Sequence, residues 1–380
     1  MSIDLIIIII MMVFLVIGIG DKLIFNSKYG YGDQFEEGMK AMGVLALAMV
    51  GIMCFAPVLG AMLKGPVGAI FGVIGADPAM IAGSILANDM GGYPLAKSMT
   101  ANEYIQHLSG LFMGCMMGAT VVFSIPVSLG IIEKEDRPFL AKGMLCGFVS
   151  IPFGAFIAGL VDGIPVGMIL INLVPSIVLA GLFALGLALI PEGMMKGFNV
   201  FAKFITIVIT VFLGLGIIRQ LTGFGFPFLD GMDPIGPQLE ICGYIAITLA
   251  GAYPMVHFVT TVLAKPLASL GKLIGVNDKS VAGMIAALAN NIPMFGLMKE
   301  MDERGKVLAV AFSVCASFAL GDHLGYAAAN LPNSIFSMVV GKLLGGVIGI
   351  VIASLLVLRK PKAAAGGPAA RGPKKQLQKA

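Results

Sequence analysis

This 380-residue chain contains no tryptophan and only three histidines, and Asp, Glu, Lys and Arg together make up 12% of it. Soluble domains carry roughly 25% charged residues, and a water-soluble chain of this length needs that shell around its core. So little charge excludes a soluble enzyme, a nucleic-acid-binding protein and a disordered chain. No GxSxG, HExxH or P-loop string occurs, so neither catalytic residues nor a cofactor, metal or ATP site is expected. No CxxC pair occurs either. Cys54, Cys115, Cys146, Cys242 and Cys315 stand singly in apolar stretches, as buried small hydrophobes do. What fills the chain is apolar: 58% hydrophobic residues and 51 glycines, with a mean hydropathy of +0.97. The reading is an all-α polytopic protein of the lipid bilayer.

The net charge of +4 is local. The last 22 residues, from Arg359, hold seven basic groups and no acid, leaving 18 basic and 21 acidic groups, a net of −3, on the other 358. This Ala/Gly/Pro-rich tail, 359–380, reads as a disordered cytoplasmic topology anchor. Nine stretches are long enough to cross about 30 Å of hydrocarbon: 3–20, 39–63, 105–132, 139–161, 165–190, 198–218, 238–263, 306–329 and 333–357. The first lacks the basic leader and cleavage site of a signal peptide. Two further stretches, 64–97 and 264–299, each hold two short apolar pieces around a polar corner, Gly75-Ala76-Asp77-Pro78 and Gly275-Val276-Asn277-Asp278. Pieces that short suit re-entrant hairpins, which membranes tolerate where protein or a water-filled cavity covers the backbone.

The two stretches are copies. A shift of 200 lays Gly43 on Gly243, Gly51 on Gly251, Pro66 on Pro266, Gly75 on Gly275, Gly83 on Gly283 and Cys115 on Cys315. With a two-residue slip, Leu86-Ala87-Asn88-Asp89 falls on Leu288-Ala289-Asn290-Asn291. The chain therefore reads as an internal duplication, with repeats at 1–163 and 198–358 joined by a linker helix at 164–197. If each stretch returns to its starting side, twelve basic loop residues fall inside and four outside, namely Lys64, Lys97, Arg219 and Lys279. That bias follows the positive-inside rule and favours inverted repeats, as in many secondary transporters, over the alternative of a parallel duplication.

Ionisable residues at membrane depth are costly and point to function. Asp89 lies in Asn88-Asp89-Met90-Gly91-Gly92-Tyr93-Pro94, and its counterpart in the second half is Asn290-Asn291-Ile292-Pro293. Asp322 and His323 lie in Gly321-Asp322-His323-Leu324-Gly325-Tyr326, near the middle of an otherwise apolar helix. Two carboxylates, several amides and the phenols of Tyr93 and Tyr326 suit a small cation with hydrogen-bonding groups. They suit an anion poorly, since no Lys or Arg lies beside these motifs. Capping by Asp89 and helix-to-helix pairing by Asp322 and His323 are the structural alternatives. His107 and His257, isolated, read as interfacial or packing residues.

Ala87-Asn88-Asp89-Met90-Gly91-Gly92-Tyr93-Pro94 and Gly321-Asp322-His323-Leu324-Gly325 resemble the EutH family of ethanolamine utilisation proteins. Ile81-Ala82-Gly83-Ser84-Ile85-Leu86 and Leu288-Ala289-Asn290-Asn291-Ile292-Pro293 are similar to it as well. The likeness covers roughly 1–357 and omits the tail. It implies a multi-pass protein of the bacterial inner membrane that takes up ethanolamine. Ethanolamine is a hydroxylated ammonium whose charged form cannot cross lipid unaided. On this reading Asp89 or Asp322 faces the ammonium. Asn88, Asn290 and Asn291 serve its hydroxyl or remaining N–H groups, Tyr93 or Tyr326 closes the cavity, and His323 makes uptake pH-sensitive. Two other readings stay open: a proton- or sodium-coupled symporter of another polar solute, and a non-transporting membrane subunit. The glycine-rich stretch 341–350 suits packing within the chain or against another copy of it.

Overall fold

The computed structural model describes residues 2–225, 227, 230–262, 271 and 274–357. Among the described residues eight helices are long and apolar enough to cross a membrane, and the chain is an all-α polytopic membrane protein. We number the helices α1 (Ile3–Phe25), α2 (Tyr31–Phe71), α3 (Met80–Ile85), α4 (Gly92–Met99), α5 (Glu103–Ile131), α6 (Arg137–Val161) and α7 (Val166–Leu189). There follow α8 (Pro191–Thr222), α9 (Ile235–Val262), α10 (Asp278–Ala289), α11 (Asn291–Leu297), α12 (Glu303–Ala316), α13 (Asp322–Asn330) and α14 (Ile335–Ile352). The basic tail and most of 263–273 lie outside the described residues. In the most apolar window of α5, 94% of residues are buried, against 11% for α1, so α5 is the central strut. Helices α1, α7 and α8 turn Val16, Leu185 and Ile207 outward, as lipid-facing helices do.

Hydrogen bonds between helix ends sort the bundle into two faces. At one face Phe336 N–H donates to Asp4 (2.8 Å), His107 Nδ1 lies 2.8 Å from Asp162 Oδ2, and Asp77 N–H donates to Asn172 (2.7 Å). At the other, Lys306 donates to Asp136 (2.5 Å) and Arg304 to Ser354 (3.3 Å). His257 Nε2 lies 3.0 Å from the carbonyl of Tyr29 there. His107 and His257 thus both serve structure.

Both short-helix stretches are re-entrant hairpins, because their two ends meet. In the first, Thr100 Oγ1 donates to Asp77 Oδ2 at 2.8 Å. In the second, Asn277 donates from its side chain to the Glu300 carbonyl (2.9 Å) and from its backbone to Asp302 (2.8 Å). The first mouth lies on the face of His107 and the second on the face of Lys306. This corrects the placement of the polar corners. Gly75-Ala76-Asp77-Pro78 and Gly275-Val276-Asn277-Asp278 form the mouths, and the tips are at 86–91 and 289–291. Polar corners belong at a wet surface, where their side chains can close the hairpin. Gly75 (φ 73°) and Gly275 (φ 72°) supply the left-handed turn at each mouth. Residues 64–71, read as a hairpin arm, instead continue α2. Lys279 pairs with Glu300 at 2.7 Å on the face of the second mouth, so it moves from the sparsely basic side to the strongly basic one.

The span expected at 306–329 is also broken. Helix α12 stops at Ala316, residues 317–321 unwind, and α13 starts at Asp322. The unwound backbone is satisfied by the second hairpin: Phe318 N–H donates to Ala287 O and Leu320 N–H to Leu288 O, both at 2.9 Å. Asp322 is therefore the first residue of a half-helix, not the middle of a continuous one.

Close packing holds the first hairpin on α5. Most of α5, from Gln106 to Gly118 and from Thr120 to Ser124, is π-helical. Gly110, Gly114 and Gly118 line up toward Tyr93, Asn88 and Leu86. Small residues four apart let backbones touch, which is how membrane helices associate. The glycines of 341–350 work within this chain: Gly341 meets Ala158, Gly345 meets Cys315 and Gly346 meets Phe312. A Cβ on Gly118 would stand 1.9 Å from the Leu86 carbonyl, whereas one on Gly43 would meet nothing within 4 Å. Gly118→Ala is expected to cost about 1–3 kcal/mol through overpacking, and Gly43→Ala to be neutral or slightly stabilising. Melting temperatures of the two purified variants in detergent measure the difference.

Candidate functional site

The first hairpin reverses through Leu86 and Ala87 in extended conformation, a 3-10 turn at Asn88–Met90, and Gly91 at φ 95°. A Cβ on Gly91 would strike Ile52 at 2.5 Å, so both the backbone angle and the packing demand glycine. This turn sets Asp89 opposite the start of α13. Asp89 Oδ1 lies 4.0 Å from His323 Nε2, and Tyr253 of α9 donates to Asp322 Oδ1 at 2.7 Å. Asp89, Asp322 and His323 line one chamber of about 40 Å³ with Ala87, Met90, Ala119, Phe123 and Phe318.

Aromatic pairs stand on either flank of the carboxylates. Phe123 and Phe318 meet edge to face with centroids 5.6 Å apart, and Phe318 contacts His323 at 4.9 Å. On the other flank, Tyr93 follows Asp89 on the hairpin and Tyr326 lies one turn after Asp322. Their rings meet at 6.3 Å. Both tyrosines face a larger cavity of about 400 Å³ bounded by Lys97, Ser98, Asp233, Gln238 and Asn330. That vestibule belongs to the face that carries the first hairpin's mouth.

The amides are distributed unevenly. Asn88 is fully buried against Gly114, and neither its Oδ1 nor its Nδ2 has a hydrogen-bond partner among the described residues. Asn291, also fully buried, donates to Ser124 Oγ at 2.7 Å and leaves Oδ1 unpaired. Asn290 caps α11 by accepting from Ile292 N–H (2.9 Å) and lies away from the chamber. Ser317 Oγ and His323 Nδ1 are unpaired as well. A buried polar atom without a partner costs about 1–3 kcal/mol, and of these residues His323 lines the chamber itself.

Of the eight residues singled out by sequence, three line the chamber and the two tyrosines line the vestibule. Asn88 and Asn291 stand at the two tips, and only Asn290 is spent on structure. Sequence reading missed Tyr253, Phe123, Phe318 and Lys342. Tyr253 carried a signal, since it precedes a proline inside an apolar helix just as Tyr93 does. Lys342, fully buried on α14, donates to the Cys115 carbonyl at 2.5 Å.

A multi-pass helical membrane protein in which the tip of a re-entrant hairpin meets a broken helix at a carboxylate-lined chamber has the architecture of a small-solute permease. Comparison with known proteins is more specific. The family model for the ethanolamine utilisation protein EutH matches residues 3–356, and the chain belongs to that family. It is 51% identical to the probable ethanolamine permease EutH of Listeria monocytogenes, over 95% of this chain and 96% of the relative. The protein of that name from Salmonella typhimurium is 47% identical over 94% and 96%. YxeR of Bacillus subtilis, described as uncharacterised, is 42% identical over 90% and 91%. No solved structure matches.

The geometry predicts a pattern of thiol reactivity. All five native cysteines are buried and free, so they should resist a hydrophilic maleimide in the folded protein. Asn330→Cys, on the vestibule wall, should react many times faster than Ala119→Cys in the chamber. Labelling followed by mass spectrometry reads both rates.

Proposed function

We propose that this protein carries ethanolamine, as its ammonium ion, across the bacterial inner membrane. The observation that carries the reading is the convergence of Asp89 and Asp322, one from each half of the chain, on a chamber of about 40 Å³. At roughly 10–15 Å³ per water, that space holds about three waters, close to the bulk of a molecule with four non-hydrogen atoms. The names of the bacterial relatives point to the same substrate. In this reading the carboxylates bind the ammonium, and Tyr253 holds Asp322 in place. Asn88 and Asn291 offer their unpaired amide groups to the hydroxyl. His323, beside Asp89, supplies a further hydrogen-bonding group, and Tyr93 with Tyr326 closes the chamber toward the vestibule.

The hairpin mouths on opposite faces, with closures two hundred residues apart, support an inverted duplication of 1–163 and 198–358 about the linker at 164–197. Lys22, Lys28, Lys134, Lys306 and the second mouth share one face, and the positive-inside rule makes it cytoplasmic, together with the tail 359–380. The vestibule then opens outward, and substrate enters past Lys97 and Asp233. The protein acts as a transporter, not an enzyme.

Uptake of labelled ethanolamine into proteoliposomes of the purified protein tests the reading. Asp89→Asn and Asp322→Asn should each reduce uptake by about tenfold or more, since a charge-assisted hydrogen bond contributes about 1.5–3 kcal/mol. Full uptake by both variants would refute it. Tyr253→Phe removes a positioning bond of about 1 kcal/mol, so a smaller loss of about fivefold is expected.

A further inference from the structure

Lys342 is the buried charge that the proposed mechanism leaves unused. It is fully buried on α14, where a lysine at membrane depth is costly unless it is held. Its Nζ donates to the Cys115 carbonyl at 2.5 Å. That oxygen would be the α-helical partner of the Ala119 N–H. In the π-helical turn, however, Ala119 donates to Gly114 O and Met116 O. The irregular winding of α5 thus turns a carbonyl toward Lys342 immediately beside Gly114, whose other side seats Asn88 at the hairpin tip.

The titratable groups that interact electrostatically with this ammonium come from each element around it: Asp89 on the tip, Cys115 on α5, Cys315 on α12 and His323 on α13. Asp322 in turn interacts with Asp89. Ser150 of α6, which contacts Cys315 at 3.4 Å, adds a neutral hydroxyl. The equivalent lysine two hundred residues earlier, Lys142, is exposed and lies 6.0 Å from the Phe139 ring. The buried ammonium therefore belongs to the half of the duplication that lacks a tip carboxylate.

Two ionised carboxylates by themselves balance a doubly charged guest. With Lys342 ionised beside them, a single positive charge remains to be neutralised. We infer that Lys342 is a specificity-determining residue: its ammonium acts as a tethered cation that restricts the chamber to singly charged amines and rejects doubly charged ones of the same size. The inference rests on the reading of the chamber as an ammonium site.

The discriminating ligand is 1,2-diaminoethane, which replaces the hydroxyl of ethanolamine with a second amine and is doubly protonated in mildly acidic buffer. In proteoliposomes of the intact protein, the diamine should compete with labelled ethanolamine far more weakly than unlabelled ethanolamine does. Lys342→Met should raise the relative potency of the diamine by about tenfold, the scale on which one neighbouring charge moves an ionic equilibrium. The double variant Lys342→Met with Asp322→Asn, which restores the charge balance, should lower it again. Thermal-shift titration with both amines reads the same ratio if a variant binds without transporting. A folded Lys342→Met protein with an unchanged ratio overturns the inference. So does a wild-type protein on which the two amines compete equally, a result that needs no variant to fold. If wild-type proteoliposomes take up no ethanolamine, it is the reading of the chamber that fails.

Discussion

The architecture turns on backbone that must not meet lipid unpaired. Breaking a helix inside the hydrocarbon strands N–H and C=O groups at several kcal/mol each, unless protein supplies their partners. Here the breaks satisfy one another. The unwound 317–321 segment donates to Ala287 and Leu288 at the end of α10, while Met90 and Gly92 of the first tip turn back to the Ala87 carbonyl. The second hairpin cannot leave the 317–321 segment without unpairing these groups, whereas the first tip is paired within itself.

The same constraint explains why the two hairpin regions carry their charge differently. In the first half α5 stays wound and curves around its hairpin by π-helical turns, with Gly118 against Leu86 O. In the second half the corresponding crossing opens, and Gly321 presses on the Ala289 carbonyl instead. Opening frees the start of α13, and a helix start is where a carboxylate gains from unpaired N–H groups. The wound half offers no such place, and its tip carries the carboxylate itself. Charge is thus divided between a tip on one side and a helix end on the other.

How far this could be read from the chain differs by element. The long spans are plain from hydropathy, and the two short-helix stretches from their length and repetition. The hairpin tips were displaced by one arm because Gly-Ala-Asp-Pro and Gly-Val-Asn-Asp resemble turns wherever they fall, while Ala87-Asn88-Asp89 and Ala289-Asn290-Asn291 look like interruptions of helix. The break at 317–321 left almost no local trace. Ser317-Phe318-Ala319-Leu320 is compatible with a buried helix, and only its pairing with 287–288 holds Phe318 at φ 62°, where a bulky residue is strained. Asp89, Asp322 and His323 were legible because charge is rare at that depth. Tyr253 and Phe123 reach the site from helices remote in sequence, so no local pattern could name them. Lys342 lay in an apolar run where a lysine can often snorkel to the surface, and only the closeness of α5 and α14 denies it that escape.

The aromatic pairs connect this geometry to passage. Each joins the two halves: Tyr93 of the first hairpin with Tyr326 of α13, and Phe123 of α5 with Phe318 of the unwound segment. Phe123 and Phe318 line the chamber with Asp89 and Asp322, and Tyr93 and Tyr326 line the vestibule. Both pairs include a residue of the segment 317–326, and that segment is bonded to the second hairpin through 287–288 and meets the first only through side chains. A shift of this segment with its hairpin, relative to the first hairpin and α5, changes both pairs at once without breaking a backbone hydrogen bond in the membrane interior. Among the described residues no backbone hydrogen bond joins the two sides of the chamber, so relative motion there breaks none.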